Sequence, residues 1–181
     1  MTERKPTAPH RPARRGLGLC LFALLGALPL TGYCSPDLSP LSELPPVELG
    51  TASLTANAVQ QGVQNTSHIT QRGAAEVASV QQIGNSNTAT LSQTGAGNTA
   101  SATQQGNNND IQLTQTGSND SAEINQQGTG NRVRLEQFTS SAFARVDQVG
   151  NFNQATVQQT IPGSIPPIIQ IGTGLIMNVY R

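Results

Sequence analysis

The chain has 181 residues, enough for one domain, but only 3% of them are aromatic, 11% are charged and none is tryptophan. A chain of this composition, rich in glutamine, asparagine, threonine, serine and glycine, builds a conventional apolar core poorly and is typically disordered or amyloid-prone. The formal net charge is zero, but half of the basic residues lie in the first fifteen positions. The sequence from Ser35 onward is therefore acidic by about four charges, which excludes a basic surface for nucleic acid.

Residues 1–34 predict a secretory signal peptide of the Sec type. A basic segment ending at Arg15 runs into an apolar stretch ending at Leu28, which is shorter than the about 20 residues that a membrane-spanning helix needs. This order of charged and apolar residues favours export over a cytosolic amino-terminal helix. Cleavage is expected between Gly32 and Ser35, which leaves at most one cysteine and hence no intramolecular disulfide.

Residues 35–53 predict a disordered, solvated arm. Pro36, Pro40, Pro45 and Pro46 lie close together in it and prevent a helix or an interior strand. Two interpretations stay open, a spacer and a recognition tail, and the composition favours the spacer.

From residue 54 to 181 one pattern returns every 11 residues, with glutamine always in the same phase. The unit is N-x-A-x-φ-x-Q-x-G-x-x, and asparagine opens alternate units at a spacing of 22 residues, so the full repeat has two similar but inequivalent halves. A fixed short period indicates a stacked repeat architecture. Within a unit, alternate positions such as Asn87, Ala89, Leu91 and Gln93 recur, which predicts the inward face of a strand. The predicted fold is an all-β, amyloid-type β-solenoid of about six strand–turn–strand–turn coils.

The amides in these phases are expected to stack on their equals one coil away, as ladders between strands about 4.8 Å apart. The predicted ladder residues are Gln60, Asn65, Gln71, Gln82, Asn87, Gln93, Asn98, Gln104, Asn109, Gln115, Gln126, Asn131, Gln137, Gln148, Asn153, Gln159 and Gln170. The x-G-x-x segment is expected to turn the chain, because glycine adopts backbone conformations that bulky residues resist. The predicted turn glycines are Gly62, Gly73, Gly84, Gly95, Gly106, Gly117, Gly128, Gly150 and Gly172.

The same register makes a prediction for the outer faces of the coils. It places Asp110 beside Arg132 and Glu123 beside Arg145, each pair one coil apart. Opposite charges in these positions are expected to help fix the register.

The last coil, from about residue 161, departs from the repeat. It contains Pro162, Pro166 and Pro167, and Arg181 stands where glutamine belongs. Proline cannot donate to a strand ladder, so this coil is expected to be a cap, a docking surface or a frayed end. The first coils carry no obvious cap, and their unpaired backbone groups predict a fibre subunit that adds copies of itself end to end.

The 22-residue unit resembles the curlin repeat of bacterial curli fibres over roughly residues 54–172. The match is seen in Asn98, Gln104, Asn109 and Gln115, and again in Asp120, Gln126, Asn131 and Gln137. The resemblance implies an extracellular functional amyloid of the biofilm matrix, active in adhesion, exported unfolded and nucleated at the cell surface. It also implies its partners: other curlin subunits, an outer-membrane secretion pore and accessory assembly proteins.

The resemblance favours the minor, nucleating subunit over the major one. The family's major subunit carries a glycine-rich secretion segment after the signal, which this chain lacks. The minor subunit has irregular terminal repeats, as in residues 161–181, although this tail has prolines and a single Arg181 rather than a basic final repeat. The major curlin subunit remains the alternative.

No enzyme, cofactor, metal site or small-molecule substrate is predicted. The acids are scattered, with Glu76 and Asp120 at strand starts two coils apart, and His68 is alone on an outer face. The sequence has no nucleophile motif, phosphate loop or calcium-binding nonapeptide.

A monomeric ice- or surface-binding solenoid is the second alternative. It requires a regular array of outward threonines. Such an array begins at Thr66 and Thr88 but is interrupted by Arg132, Arg134 and Phe143.

Overall fold

The computed structural model describes residues 53–181, which form thirteen β-strands. These residues include no helix with the length and apolarity of a membrane span. The predicted signal peptide at 1–34 and the predicted arm, apart from Ser53, lie outside the described residues. The strands are β1 (Thr55–Val63), β2 (Thr66–Ala74), β3 (Val77–Asn85), β4 (Thr88–Ala96), β5 (Thr99–Asn107), β6 (Asp110–Ser118), β7 (Ser121–Thr129), β8 (Arg132–Gln137), β9 (Ala142–Asn151), β10 (Gln154–Gln159), β11 (Gly163–Ser164), β12 (Ile168–Thr173) and β13 (Ile176–Tyr180).

The strands form two parallel sheets that face each other. Sheet A contains the odd-numbered strands β1 to β11 together with β12, and sheet B contains the even-numbered strands β2 to β10 together with β13. Along the regular part of the stack each residue pairs with the residue 22 positions later, for example Gln60 with Gln82 in sheet A and Gln71 with Gln93 in sheet B. Each coil therefore has one strand in each sheet, which confirms the predicted β-solenoid of about six coils.

Alternation along each strand divides the side chains between a core and an outer face. In β4, Ala89, Leu91 and Gln93 are buried, whereas Thr88 and Thr94 are exposed. Only small or narrow branched side chains fill the space between two facing sheets of one coil. Burying each leucine or isoleucine contributes about 1.5–3 kcal/mol. The core comprises Ala78, Val80, Ala89, Leu91, Ala100, Ala102, Ile111, Leu113, Ala122, Ile124, Val133, Leu135, Ala144, Val146, Ala155, Val157, Ile165 and Ile168.

The turns follow the predicted x-G-x-x segments, but the glycine lies at the end of a strand and not at the reversal itself. All nine predicted turn glycines lie within strands, near the carboxyl end of each. Two residues outside the strands make the turn, and the first of them carries the left-handed backbone, as in Gln64 with φ 59°. Glycine is required for two reasons. Gly62 has φ 116°, a backbone conformation that residues with side chains rarely adopt, and a Cβ atom on it would collide with the carbonyl oxygen of Gly84 in the next coil.

The terminal coil, defined as residues 161–181, is irregular. Ile161–Pro167 contributes only the two-residue β11, and both β11 and β12 pair with β9. Because Arg181 replaces glutamine, Gln159 Nε2 donates to Gly163 O (3.0 Å) instead of to a side chain one coil further on. The regular stacking therefore stops within this coil.

Candidate functional site: the side-chain ladders

Two rows of glutamines run the length of the stack, and all of them except the exposed Gln60 are buried. Row A contains Gln60, Gln82, Gln104, Gln126, Gln148 and Gln170, and row B contains Gln71, Gln93, Gln115, Gln137 and Gln159. Except at the last glutamine of each row, Nε2 donates to the Oε1 of the next glutamine, at 2.6 to 3.0 Å. The same nitrogen also donates to a carbonyl of the other sheet, as Gln93 does to Val77 O at 3.0 Å. A ladder glutamine therefore joins successive coils and also the two sheets.

An asparagine row lies at the turns from sheet A to sheet B. It consists of Asn65, Asn87, Asn109, Asn131 and Asn153. Asn131 shows the pattern: Nδ2 donates to Gly150 O at 2.8 Å, and Oδ1 accepts the backbone N–H of Asn153 at 3.1 Å. Each side chain thus holds its own turn against the glycine carbonyl and the turn of the following coil.

The corresponding row at the turns from sheet B to sheet A mixes amides and acids. We call it the mixed row; it contains Glu76, Asn98 and Asp120, followed by Ala142. Glu76 and Asp120 are 0% and 1% exposed, and one carboxylate oxygen of each has no hydrogen-bond partner. Burial raises the pKa of Glu76, although hydrogen bonds from Asn98 oppose the shift, and Asp120 raises it further by charge repulsion. Burial likewise raises the pKa of Asp120, opposed by the hydrogen bond from the backbone of Ala142.

Sequence reasoning identified Asn98 but not the role of its two acidic neighbours. Glu76 and Asp120 were recognised only as acids at strand starts, and carboxylates are ordinarily exposed. The signal that could have found them is their phase, because they occupy the position that asparagine holds in the other row.

Ion pairs connect coils on the outer faces. The structure contains both predicted pairs, Arg132 Nε to Asp110 Oδ2 at 3.1 Å and Arg145 Nη1 to Glu123 Oε2 at 3.6 Å. Arg145 also donates to Asp147 Oδ2 at 2.8 Å. This hydrogen bond and the two neighbouring carboxylates raise the pKa of Arg145 above its ordinary value.

The outer face does not carry a regular threonine array over the described coils. Thr66 pairs with Thr88, but the next residue in that column is Asp110 and the following one is Arg132. His68 is exposed and contacts only the Thr70 hydroxyl, at 3.2 Å. No group of three or more metal-binding side chains occurs between residues 53 and 181.

The two ends of the stack are chemically different. At one end, which we call the open edge, are the outer edges of β1 and β2, and no described residue donates a hydrogen bond to the side-chain oxygens of Gln60 and Gln71. At the other end, Gln170 Nε2 donates to Gln154 O and to Leu175 O, both at 3.1 Å. The ladders thus begin with free acceptors and end with donors that are used within the chain.

Comparison with known proteins gives one family. A model of the curlin associated repeat matches residues 77–106, 84–117, 106–138 and 117–150. Neither curated proteins nor solved structures give a significant match. The repeat matches lie within the regular coils, and over these residues the chain is similar to proteins of the curlin family.

Proposed function

We propose that this curlin-type structural subunit is assembled into extracellular amyloid fibres of the curli type and acts there as the minor, nucleating subunit. The observation that carries the proposal is the open edge, where two continuous ladders end at Gln60 and Gln71 in acceptors to which none of residues 53–181 donates. Fibres of this kind serve the biofilm matrix and adhesion.

The open edge offers an incoming coil the same contacts that join coils within the chain. Strands added against β1 and β2 extend the parallel backbone ladders, and incoming glutamine amides donate to Gln60 and Gln71. Each such hydrogen bond contributes about 0.5–1.5 kcal/mol net. The half-buried Ala58 and Ile69, which pack at the end of the core, would also become covered.

The difference between the two ends favours a nucleator over a bulk building block. Stacking many copies of one chain requires donors at the end opposite to the open edge. There the amide of Gln170 is already used, and Gln159 donates to Gly163 O. A regular curlin subunit can supply free donors to the open edge, whereas a second copy of this chain supplies them poorly. The five regular coils before residue 161 suit the alternative, a major subunit.

Export and assembly partners follow from the same proposal. The signal peptide predicted at 1–34 would direct the chain to the Sec pathway, and an outer-membrane pore with accessory proteins would carry it to the cell surface. The chain is therefore expected outside the cell, in adhesive fibres at the cell surface.

Seeding separates the two subunit roles. The segment from Ser35 onward is added in trace amounts to a purified major curlin subunit, and fibre growth is followed with an amyloid-binding dye. Acceleration at trace amounts is the expected result, whereas fibres that form only when this chain is the bulk component indicate a major subunit. A monomer that forms no fibrils and shows thermal hysteresis would overturn both roles.

A further inference from the structure

The geometry points to the mixed row as a proton-controlled lock: we propose that Glu76 and Asp120 must each take up a proton to complete this row, so that acid promotes folding of the coils. The inference concerns the coils of one chain and holds whether or not the chain nucleates fibres. It rests on which atoms face each other in the row.

Asn98 shows which hydrogen bonds an amide side chain makes in this row. Its Nδ2 donates to Gly117 O at 3.2 Å, and its Oδ1 accepts the backbone N–H of Asp120 at 2.9 Å. One side chain thus satisfies a carbonyl and an N–H of neighbouring coils. The complete asparagine row repeats the same two bonds.

Asp120 reproduces only half of this arrangement. Its Oδ1 accepts the backbone N–H of Ala142 at 2.9 Å, as an asparagine oxygen would. Its Oδ2 takes the place of the amide nitrogen: it is 2.9 Å from a Cβ atom built on Gly117, and Asn98 Nδ2 is 3.3 Å from the equivalent point on Gly95. That point on Gly117 also collides with the carbonyl oxygen of Thr139. The carboxylate oxygen of Asp120 and the carbonyl oxygen of Thr139 therefore both approach Gly117, and both are hydrogen-bond acceptors.

Glu76, two coils earlier, also has one carboxylate oxygen without a partner. Its Oε1 accepts from Asn98 Nδ2 at 3.2 Å, while its Oε2 is buried without a partner. An unpaired buried charge of this kind is costly, and the group relieves the cost by becoming neutral. Proton uptake from water converts the unpaired oxygen of each acid into an O–H donor, and at Asp120 the nearby Thr139 carbonyl oxygen is available to accept.

No cation compensates these carboxylates within the described chain. The charged side chains on the strands that pack around the mixed row are Arg72, Asp110, Glu123, Arg132, Arg134, Glu136, Arg145 and Asp147, and all are exposed or partly exposed on the outer faces. Within the row, the charge of Asp120 adds to the effects that raise the pKa of Glu76. The surroundings therefore oppose ionisation of both acids.

The direction of the pH effect follows from the raised pKa values. The folded chain binds protons at Glu76 and Asp120 more tightly than the unfolded chain, whose groups titrate near 4.5 and 3.8. The stabilisation that comes from protonating these two carboxyls is fully present below their ordinary pKa values. It is lost as the pH rises from the ordinary pKa values through the raised pKa values of the folded chain. For each carboxyl, the folding equilibrium constant falls about tenfold for every unit by which its pKa is raised.

Urea unfolding of the full chain between pH 4 and 8, followed by far-ultraviolet circular dichroism, tests the lock. The wild-type midpoint is expected to fall as pH rises. The double variant Glu76→Gln and Asp120→Asn carries amides at both positions and is expected to keep a nearly constant midpoint, above that of the wild type at pH 8. The control Asp110→Asn and Glu136→Gln removes two outer-face charges and should retain the fall.

Two results would overturn the proposal: a wild-type midpoint that does not change with pH, or a double variant that loses stability with pH as the control does. Failure of the double variant to fold would also contradict it, because amides are predicted to fit better than carboxylates. The seeding experiment has a separate readout, so a negative result there bears only on the fibre role.

Discussion

At the residue scale, a ladder glutamine is held by three hydrogen bonds at once. Gln115 accepts from Gln93, donates to Gln137 Oε1 at 2.9 Å and donates to Thr99 O at 3.1 Å. We expect Gln115→Ala to leave the side-chain oxygen of Gln137 buried without a partner and the Gln93 amide with only its hydrogen bond to Val77 O. A buried group left without a partner costs about 1–3 kcal/mol. The measurement is the shift in the denaturant midpoint of the folded chain.

Gln112 provides a matched control on the same strand. It lies three residues earlier in β6 but is exposed on the outer face. Gln112→Ala is expected to change the free energy of unfolding by no more than about 0.5 kcal/mol. Equal effects of the two substitutions would mean that the ladder contributes nothing beyond ordinary surface contacts.

At the scale of the element, charges on β7 and β9 favour the register in which these strands pair. Arg145 lies between Glu123 on the neighbouring strand and Asp147 on its own. Arg145→Glu replaces two attractions by repulsions, so we expect slower assembly at low salt. The effect should shrink at high salt, because the Debye length falls from about 10 Å at 0.1 M to about 3 Å at 1 M. The lag time of fibre formation at both salt concentrations measures it.

Arg72→Glu is the control for this reversal. Arg72 is exposed and makes no ion pair with any residue that the structure describes. The Arg72→Glu substitution changes the net charge by the same amount as Arg145→Glu. A similar delay in both variants would therefore mean that the effect comes from net charge and not from register.

Also at the element scale, the two-strand coil can be predicted because the 22-residue period is visible directly in the amino-acid sequence. Gln93 and Leu91 recur with their equivalents, and that repetition fixes both the inward face and the 22-residue register. The unusual backbone of the glycines could be predicted, but the close approach of Gly62 to Gly84 could not, because it exists only once coils are stacked. The burial of Asp120 was not predicted because a carboxylate is ordinarily expected at the surface. Only its position in the repeat, which asparagine occupies in the other row, indicates that it is buried.

At the scale of the whole molecule, the terminal coil makes the stack one-sided. A chain that ends at residue 160 loses β11 to β13 and exposes β9 and β10 as a regular edge. The side-chain amides of Gln148 and Gln159 then lose their partners Gln170 and Gly163. They become available to the open edge of a second copy. The remaining coils contact only their neighbours, so they should still stack.

We therefore expect the shortened chain to form fibres of itself faster than the full chain at equal concentration. The gain should be up to about tenfold for each amide that is made available, since one hydrogen bond contributes about 0.5–1.5 kcal/mol. Dye-binding time courses of the two chains measure this directly. Arg181→Gln, which restores the ladder residue without shortening the chain, should give a smaller gain, because the prolines of the terminal coil remain. If the shortened chain is no faster than the full chain, the terminal coil is not what limits self-stacking, and the argument for a nucleating role loses its structural basis.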